Sequence, residues 1–161
     1  MSLTLEIQDA QWKKLRGLQA RLKRAVAAAL LKAGADAAAG LTVRLTTDAK
    51  VKALNHDFRG QDVATNVLSF PAQVENYLGD IAIAYGVTAK EAKTSGKALG
   101  DHAVHLAVHG VLHLLGYDHT TPRKAKVMEP MEVCILKTLH IADPYQPTPI
   151  SPRKTRARKV P

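Results

Sequence analysis

The chain has 161 residues, which is enough for one domain with its own hydrophobic core and short for two domains of ordinary size. Its 46% hydrophobic and 23% charged residues are typical of a folded, water-soluble protein and argue against a disordered chain. Lysine and arginine outnumber aspartate and glutamate by 23 to 14, and the net charge of +9 favours a polyanionic partner, either nucleic acid or an anionic membrane surface.

The first part of the chain predicts strands and helices in alternation. Apolar and polar residues alternate over 3–7, as in a half-buried strand. Asp9 is then expected to cap one long helix, whose leucines recur every three or four positions and which ends near Gly34. A second alternating stretch over 41–45 predicts another strand, and Asp48 is expected to begin a short helix.

Two further strands are predicted in the middle of the chain. The third covers 66–70 and is expected to end at Pro71, because proline cannot donate a backbone hydrogen bond to a sheet. The fourth covers 78–84, where isoleucines alternate with small residues. After Gly86 the periodicity changes, and a helix is expected over about 88–95.

Helices dominate the rest of the predicted domain. One is expected over about 101–115 and the last over about 122–140, with Pro130 expected to kink or break it. Four strands that come mostly before the longest helices predict an α+β fold. We therefore expect a single domain with a small mixed four-stranded sheet packed against about five helices.

The composition changes beyond Asp143, where prolines are mixed with basic and polar residues. We expect residues 1–146 to form the domain and 147–161 to be a disordered, basic, proline-rich tail. Five cations without an acidic neighbour lie there and account for +5 of the +9, which leaves +4 for the rest: Arg153, Lys154, Arg156, Arg158 and Lys159. Neither a signal-peptide pattern nor an apolar stretch of membrane-spanning length is evident, which predicts a cytoplasmic protein with no membrane partner.

A cluster of histidines carries the strongest chemical signal. Residues four apart on a helix share a face, so the imidazoles of His109 and His113 can both reach one metal ion at about 2.0–2.1 Å. His105 extends the same stripe, but His105 and His113 are separated by about 12 Å of helix, so these three histidines cannot all bind one ion. His102 and His105 are interpreted as helix residues with at most an indirect contact with the ion, and His56 and His140 carry no signal.

The third ligand is predicted to be His119. Gly116 follows the apolar helix and can adopt the left-handed conformation that ends a helix and reverses the chain, which would bring His119 back towards His109 and His113. Three neutral imidazole nitrogens suit zinc and leave a fourth position for water, as in catalytic zinc sites. A structural site normally has four ligands, often cysteines, and the only cysteine, Cys134, is expected to be a buried hydrophobic residue.

The residues beside the predicted ligands narrow the chemistry. In the peptidase pattern H-E-x-x-H a glutamate next to the first histidine acts as general base, whereas here Gly110 occupies that position. Asp118 is either a residue that orients a ligand or only a turn residue.

The run from His109 to His119, HGVLHLLGYDH, closely resembles the signature of the YbeY family of bacterial endoribonucleases. Other stretches are similar to further motifs of the family and occur in the right order, so that the resemblance covers most of positions 41–145. They are Leu54-Asn55, Phe58-Arg59, Asp62 with 65–71, 78–81, 128–136 and Asp143-Pro144-Tyr145.

The resemblance implies a zinc-dependent endoribonuclease that prefers single strands and acts in ribosomal RNA maturation, especially at the 3′ end of 16S RNA, and in ribosome quality control. It implies one zinc ion per chain, held by His109, His113 and His119, and Arg59 as the basic residue of the catalytic cleft. The implied partners are ribosomal RNA and the small ribosomal subunit, together with ribosomal or assembly proteins.

Two other functions are compatible with the same residues. A non-catalytic ribosome-assembly protein would use zinc only to organise the fold, and the basic tail motivates this reading. A zinc peptidase or amidase would keep the metal but needs a proton acceptor that the sequence does not offer beside His109.

Overall fold

The computed structural model describes residues 2–36 and 38–146, and the predicted tail at 147–161 lies outside them. The strands of this part are β1 (Ser2–Ile7), β2 (Gly40–Thr46), β3 (Val67–Val74) and β4 (Tyr77–Ala84). Its α-helices are α1 (Leu18–Lys32), α2 (Asp48–Arg59), α3 (Tyr85–Ser95), α4 (Leu99–Leu114) and α5 (Pro122–Thr138). The predicted α+β class, with five helices and four strands, is confirmed.

The four strands form one mixed sheet in the order β1-β2-β4-β3. β1, β2 and β4 are parallel to one another, whereas β3 runs antiparallel to β4, with Ser69 opposite Ile81. The short link between β3 and β4 forms a hairpin, while helices connect the parallel strands, as parallel connections require. The hairpin leaves β3 at one edge of the sheet.

Strand β4 separates two hydrophobic clusters. Ile81 and Ile83 belong to the larger cluster, which is shared with α1, α4 and α5, whereas Ala82 and Ala84 belong to a smaller one with Val51 of α2. Successive side chains of a strand point to opposite faces, so the sheet lies between α4 on one face and α2 on the other. This arrangement places the ends of α2 and α4 on either side of β3.

The prediction of one long helix from Asp9 is wrong. Asp9 instead caps a short 3-10 helix (Ala10–Lys14), accepting a hydrogen bond from the Gln11 backbone N–H at 3.0 Å. Gly17 then adopts φ 72°, a left-handed conformation that glycine tolerates, and α1 starts at the next residue. Trp12 explains the break, because it is buried against the sheet and its indole N–H donates to the Thr46 carbonyl at 3.0 Å.

The third strand does not end at Pro71 as predicted. β3 continues to Val74, with Pro71 opposite Gly79 and a register shift before Val74. Proline is tolerated here because β3 is an edge strand with an irregularity, so no ladder with a further strand is lost.

Two predicted helix features also differ from the structure. α3 begins at Tyr85, so Gly86 lies inside the helix and not before it. α5 runs unbroken through Pro130, so the break, one of the two outcomes expected there, does not occur. Pro130 is exposed, so the carbonyl that loses its helical partner lies on the solvent side, where water can satisfy it.

Candidate metal centre and adjoining cleft

Helix α4 carries the first two predicted ligands. The apolar side of α4 packs in the larger hydrophobic cluster, and this packing fixes the direction of the opposite face, which carries the histidines. His109 and His113 are half-buried on that face, with their Nε2 atoms 2.9 Å apart. The i, i+4 spacing therefore brings the two imidazoles together, as predicted.

A turn at Gly116 brings the third histidine to the same place. Gly116 has φ 97°, and the Tyr117 N–H donates to the Leu112 carbonyl at 3.0 Å, which closes the end of α4. The ring centroid of His119 then lies 5.1 Å from that of His109 and 5.2 Å from that of His113. Ligand atoms of all three histidines lie within 4.8 Å of one another, so they could hold one metal ion.

The local electrostatics favour a neutral imidazole at His113, as metal binding requires. Burial, followed by the neighbouring His109 and His119, lowers the pKa of His113 to about 4. At neutral pH the His113 ring is therefore unprotonated and has a nitrogen lone pair to offer. The donor set of three imidazole nitrogens fits a zinc ion.

Glu132 of α5 was not among the predicted site residues, yet it organises the histidines from behind. Its side chain has 0% exposure, and its two oxygens lie 2.7 Å from His109 Nδ1 and 2.8 Å from His105 Nε2. The contact with Nδ1 leaves the Nε2 atom of His109 facing the other histidines. His105 thus contacts the predicted ligand His109 only through Glu132, which is the indirect contact that the sequence analysis left open.

The charge of Glu132 is stabilised by its neighbours. Burial by itself would raise the pKa of Glu132, but hydrogen bonds from His105, His109 and Tyr145 outweigh it and lower the pKa to about 2. The Tyr145 hydroxyl donates to Oε2 at 2.7 Å, and burial together with this carboxylate raises the Tyr145 pKa, so the hydroxyl keeps its proton. A sequence signal existed, since Glu132 occupies the apolar stripe formed by Met128, Ile135 and Leu136.

Arg59 lines the same cavity as the histidines. It is the last residue of α2, and its Nη2 atom donates to the Ser69 carbonyl of β3 at 3.4 Å. One cavity of about 630 Å³ is lined by Arg59 together with His109, His113 and His119. A phosphodiester in this cavity would have a guanidinium and the histidine cluster as neighbours, which is the spatial relation that the sequence-based reading requires.

Gly110 has a structural reason to be glycine. A Cβ atom added at this position would lie 2.9 Å from Ile81 Cγ2, closer than side-chain carbons approach one another. The Gly110 carbonyl also accepts a hydrogen bond from the Ser69 hydroxyl at 3.1 Å. Helix α4 therefore packs so closely on β4 that a larger residue at position 110, such as the glutamate of the peptidase pattern, would force Ile81 to move.

The structure bears on the expectations for three further residues. Asp118 behaves as a turn residue, because its carboxylate accepts hydrogen bonds from the backbone and side chain of Thr120 and from Lys124. Cys134, which was expected to be buried, is exposed. It lies on the outer side of α5, next to the buried Ile135. His102 contacts Glu91 at 2.9 Å and takes no part in the cluster of three histidines.

No helix within residues 2–36 and 38–146 combines the length and the hydropathy needed to cross a membrane.

Comparison with known sequences finds one family over most of the chain. The sequence profile of the family described as Endoribonuclease YbeY matches residues 6–140. Endoribonuclease YbeY of Alkalilimnicola ehrlichii is 44% identical to this chain over 153 residues, which cover 90% of this chain and 92% of the relative. Endoribonuclease YbeY of Rhodopseudomonas palustris is 46% identical over 148 residues, which cover 83% of this chain and 76% of the relative.

Comparison with solved structures finds a protein with a similar fold. The solution structure of TM1509 from Thermotoga maritima is similar to this chain, with a TM-score of 0.62 and 25% sequence identity. The similarity covers 89% of this chain and 99% of that one.

Proposed function

The chain belongs to the endoribonuclease YbeY family, and from this membership and the geometry of its histidines we propose that it hydrolyses phosphodiester bonds of single-stranded RNA with one bound zinc ion. The observation that carries the proposal is the convergence of His109, His113 and His119 within one cavity that Arg59 also lines. Three nitrogen donors are the usual protein share of a catalytic zinc site, and the fourth position is then left for water or substrate.

The three histidines would hold the zinc ion, and the residues behind them would keep them in place. A bound zinc ion supplies a Lewis acid that makes water a stronger nucleophile at neutral pH. Glu132 accepts hydrogen bonds from the His109 and His105 rings, which fixes the tautomer and the direction of the His109 ring. Tyr145 donates to the same carboxylate and so limits its movement.

Arg59 would bind the phosphate that is cleaved. A guanidinium can donate to two phosphate oxygens at once, and its charge opposes the negative charge that grows on them when a nucleophile attacks phosphorus. Among the described residues its one hydrogen bond is the long one to Ser69, so most of its donors are available to a substrate. Its place in the same cavity as the histidines suits a phosphodiester that contacts both.

We further propose, from the family resemblance, the biological setting of this activity. The substrate would be ribosomal RNA, with the 3′ end of 16S RNA as the site of maturation, and the protein would also act in ribosome quality control. The small ribosomal subunit and its ribosomal or assembly proteins would be its partners, in the cytoplasm. The positive net charge of the chain is consistent with a polyanionic substrate.

Cleavage of RNA by the purified protein tests the proposal. The protein would be stripped of metal and incubated with a single-stranded RNA that spans the 3′ end of 16S RNA, with and without added zinc. We expect zinc-dependent cleavage that is lost in His113→Ala and retained in His56→Ala, a matched control in which an exposed histidine outside the cluster is removed. Cleavage that survives His113→Ala would come from another nuclease and would contradict the proposal.

The same variants separate the two alternative functions. If zinc only organised the fold, His113→Ala would lower the thermal stability, but no cleavage would be seen even with the wild-type protein. A peptidase would turn over peptide substrates in a zinc-dependent way, which the packing of Gly110 against Ile81 argues against.

A further inference from the structure

A second cavity adjoins the cleft, and we name it the α2 groove. It has a volume of about 700 Å³ and shares Arg59, Ser69 and Pro71 with the cavity of the histidines, so that Arg59 lies between the two. Its other lining residues include Lys50, Leu54 and Phe58 of α2, together with Phe70 of β3. Apart from Arg59, no lining residue of this groove has a part in the proposed reaction.

The groove contains an exposed aromatic surface. The Phe58 side chain is 68% exposed, although its aromatic ring is among the most hydrophobic groups of the chain. It rests on Phe70 with ring centroids 5.3 Å apart and an angle of 56° between the rings. These are the only two phenylalanines of the sequence, and their packing leaves the Phe58 ring available to a flat ligand.

The charges beside the aromatic rings favour an anion. One face of α2 carries three lining residues at intervals of four, and they extend over about 12 Å: Lys50, Leu54 and Phe58. Lys50 is exposed and forms no ion pair within the described residues. Arg44 and Asp80 also line the groove, but they are paired with each other, and Arg44 contacts Glu6 as well. Lys50 and Arg59 are therefore the cations left for a ligand.

An aromatic platform in one groove with two cations that have no acidic partner among the described residues has the chemistry of a site for single-stranded nucleic acid. In such sites a base stacks on an aromatic ring while basic side chains contact the neighbouring phosphates. We propose that the α2 groove binds an unpaired nucleobase of the RNA strand, which stacks on Phe58 next to the phosphate held by Arg59. The inference rests on the proposed function for the identity of the strand, and it names the residues that would select unpaired bases, since a base inside a duplex has both faces covered.

Tryptophan fluorescence would report the stacking directly. In Phe58→Trp the new indole replaces the exposed ring, while the native Trp12 is 1% exposed and should give a constant background. Zinc-stripped protein would be titrated with a single-stranded oligoribonucleotide, with the matching duplex, and with a strand of the same length that lacks bases. We expect quenching by the first ligand only. Leu31→Trp, at an 83% exposed position at the end of α1, is the control that should not respond.

Equilibrium binding gives a second readout. Removing one stacked base is expected to weaken binding of the single strand at least about fivefold in Phe58→Ala, whereas Phe58→Trp should bind like the wild type. The duplex should bind both variants alike, because it makes no use of the platform.

The outcomes separate this inference from the proposed function. Equal quenching by the strand without bases, or unchanged affinity in Phe58→Ala, would overturn the base-binding groove even if the wild type cleaves RNA with zinc. Base-dependent quenching in a protein that shows no zinc-dependent cleavage would keep the groove and overturn the proposed function.

Discussion

Glu132 joins three side chains through one buried carboxylate, and this makes it the residue on which the histidine geometry depends most. It holds His109 by Nδ1, holds His105 by Nε2, and receives the Tyr145 hydroxyl. A carboxylate behind a metal-binding imidazole orients the ring and increases its basicity. Loss of the charge should therefore weaken metal binding without removing any ligand.

Substitution of Glu132 by glutamine tests this role. Because an amide has one acceptor and no charge, we expect zinc affinity to fall about 10- to 100-fold in Glu132→Gln. Competition with a chromophoric chelator would measure the affinity. Glu129→Gln, three residues earlier on α5, is the matched control and should bind zinc like the wild type. Equal affinities in the two variants would show that Glu132 does not support the ligands.

The same carboxylate predicts a pH dependence of the metal-free protein. In the folded state the Glu132 pKa is lowered from 4.5 to about 2. Its contribution to the free energy of unfolding is therefore complete above pH 4.5 and is lost as the pH falls towards about 2. Denaturant unfolding should show the wild type more stable than Glu132→Gln near neutral pH, with the difference shrinking below pH 4.5. A difference that does not change with pH would contradict this assignment of charge.

At the scale of the elements, the packing of α4 on β4 depends on Gly110. A methyl group in Gly110→Ala would press on Ile81, and we expect the free energy of unfolding to fall by about 1–2 kcal/mol, because overpacking outweighs the gain in helix propensity. Thermal or denaturant unfolding measures the change. Gly100→Ala in the same helix is the control, since its methyl group would meet only the movable end of the Arg21 side chain. A Gly110→Ala variant as stable as the wild type would mean that the helix can shift freely on the sheet.

The elements that local pattern determines were predicted well. The first, second and fourth strands follow from alternation, and the end of α4 follows from Gly116. The errors came from tertiary context. Burial of Trp12 interrupts the first helix, the edge position of β3 accepts Pro71, and the exposed side of α5 accepts Pro130.

The residues of the candidate site likewise divide into those that a local pattern predicts and those that depend on tertiary packing. His109 and His113 could be paired from their spacing, because one helix carries both. Glu132 belongs to another helix, and its contact with His109 depends on how α5 packs against α4. Its only local sign was a charged residue on an apolar stripe, and Arg59 was identified through the family resemblance alone. That the α2 groove adjoins the cavity of the histidines could be recognised only from the three-dimensional structure.

At the scale of the whole molecule, the positive charge is expected to attract RNA over a distance. Of the net charge of +9, five units come from the segment 147–161. Phosphate contacts made by such cations release counterions, so they appear in the salt dependence of binding. The proposed division into a domain at 1–146 and a basic tail can be tested through this dependence.

Removal of residues 147–161 should flatten the salt dependence of RNA binding. If the five cations contact phosphates, the slope of log affinity against log salt should become less steep by up to about 0.7 per lost contact on a single strand. Replacing the same five residues by serine in the full-length chain is the matched control and should have an equal effect. An unchanged slope in both proteins would show that the segment does not contact RNA.

The central claim is that three histidines hold one zinc ion on which RNA cleavage depends, and a zinc titration of the cleavage rate tests it most directly. Metal-stripped wild-type protein should gain activity in proportion to added zinc and reach a plateau at one equivalent per chain, while His119→Ala should stay inactive over the same range. A cleavage rate that does not change with added zinc would contradict the central claim, and so would a His119→Ala variant that follows the wild-type curve.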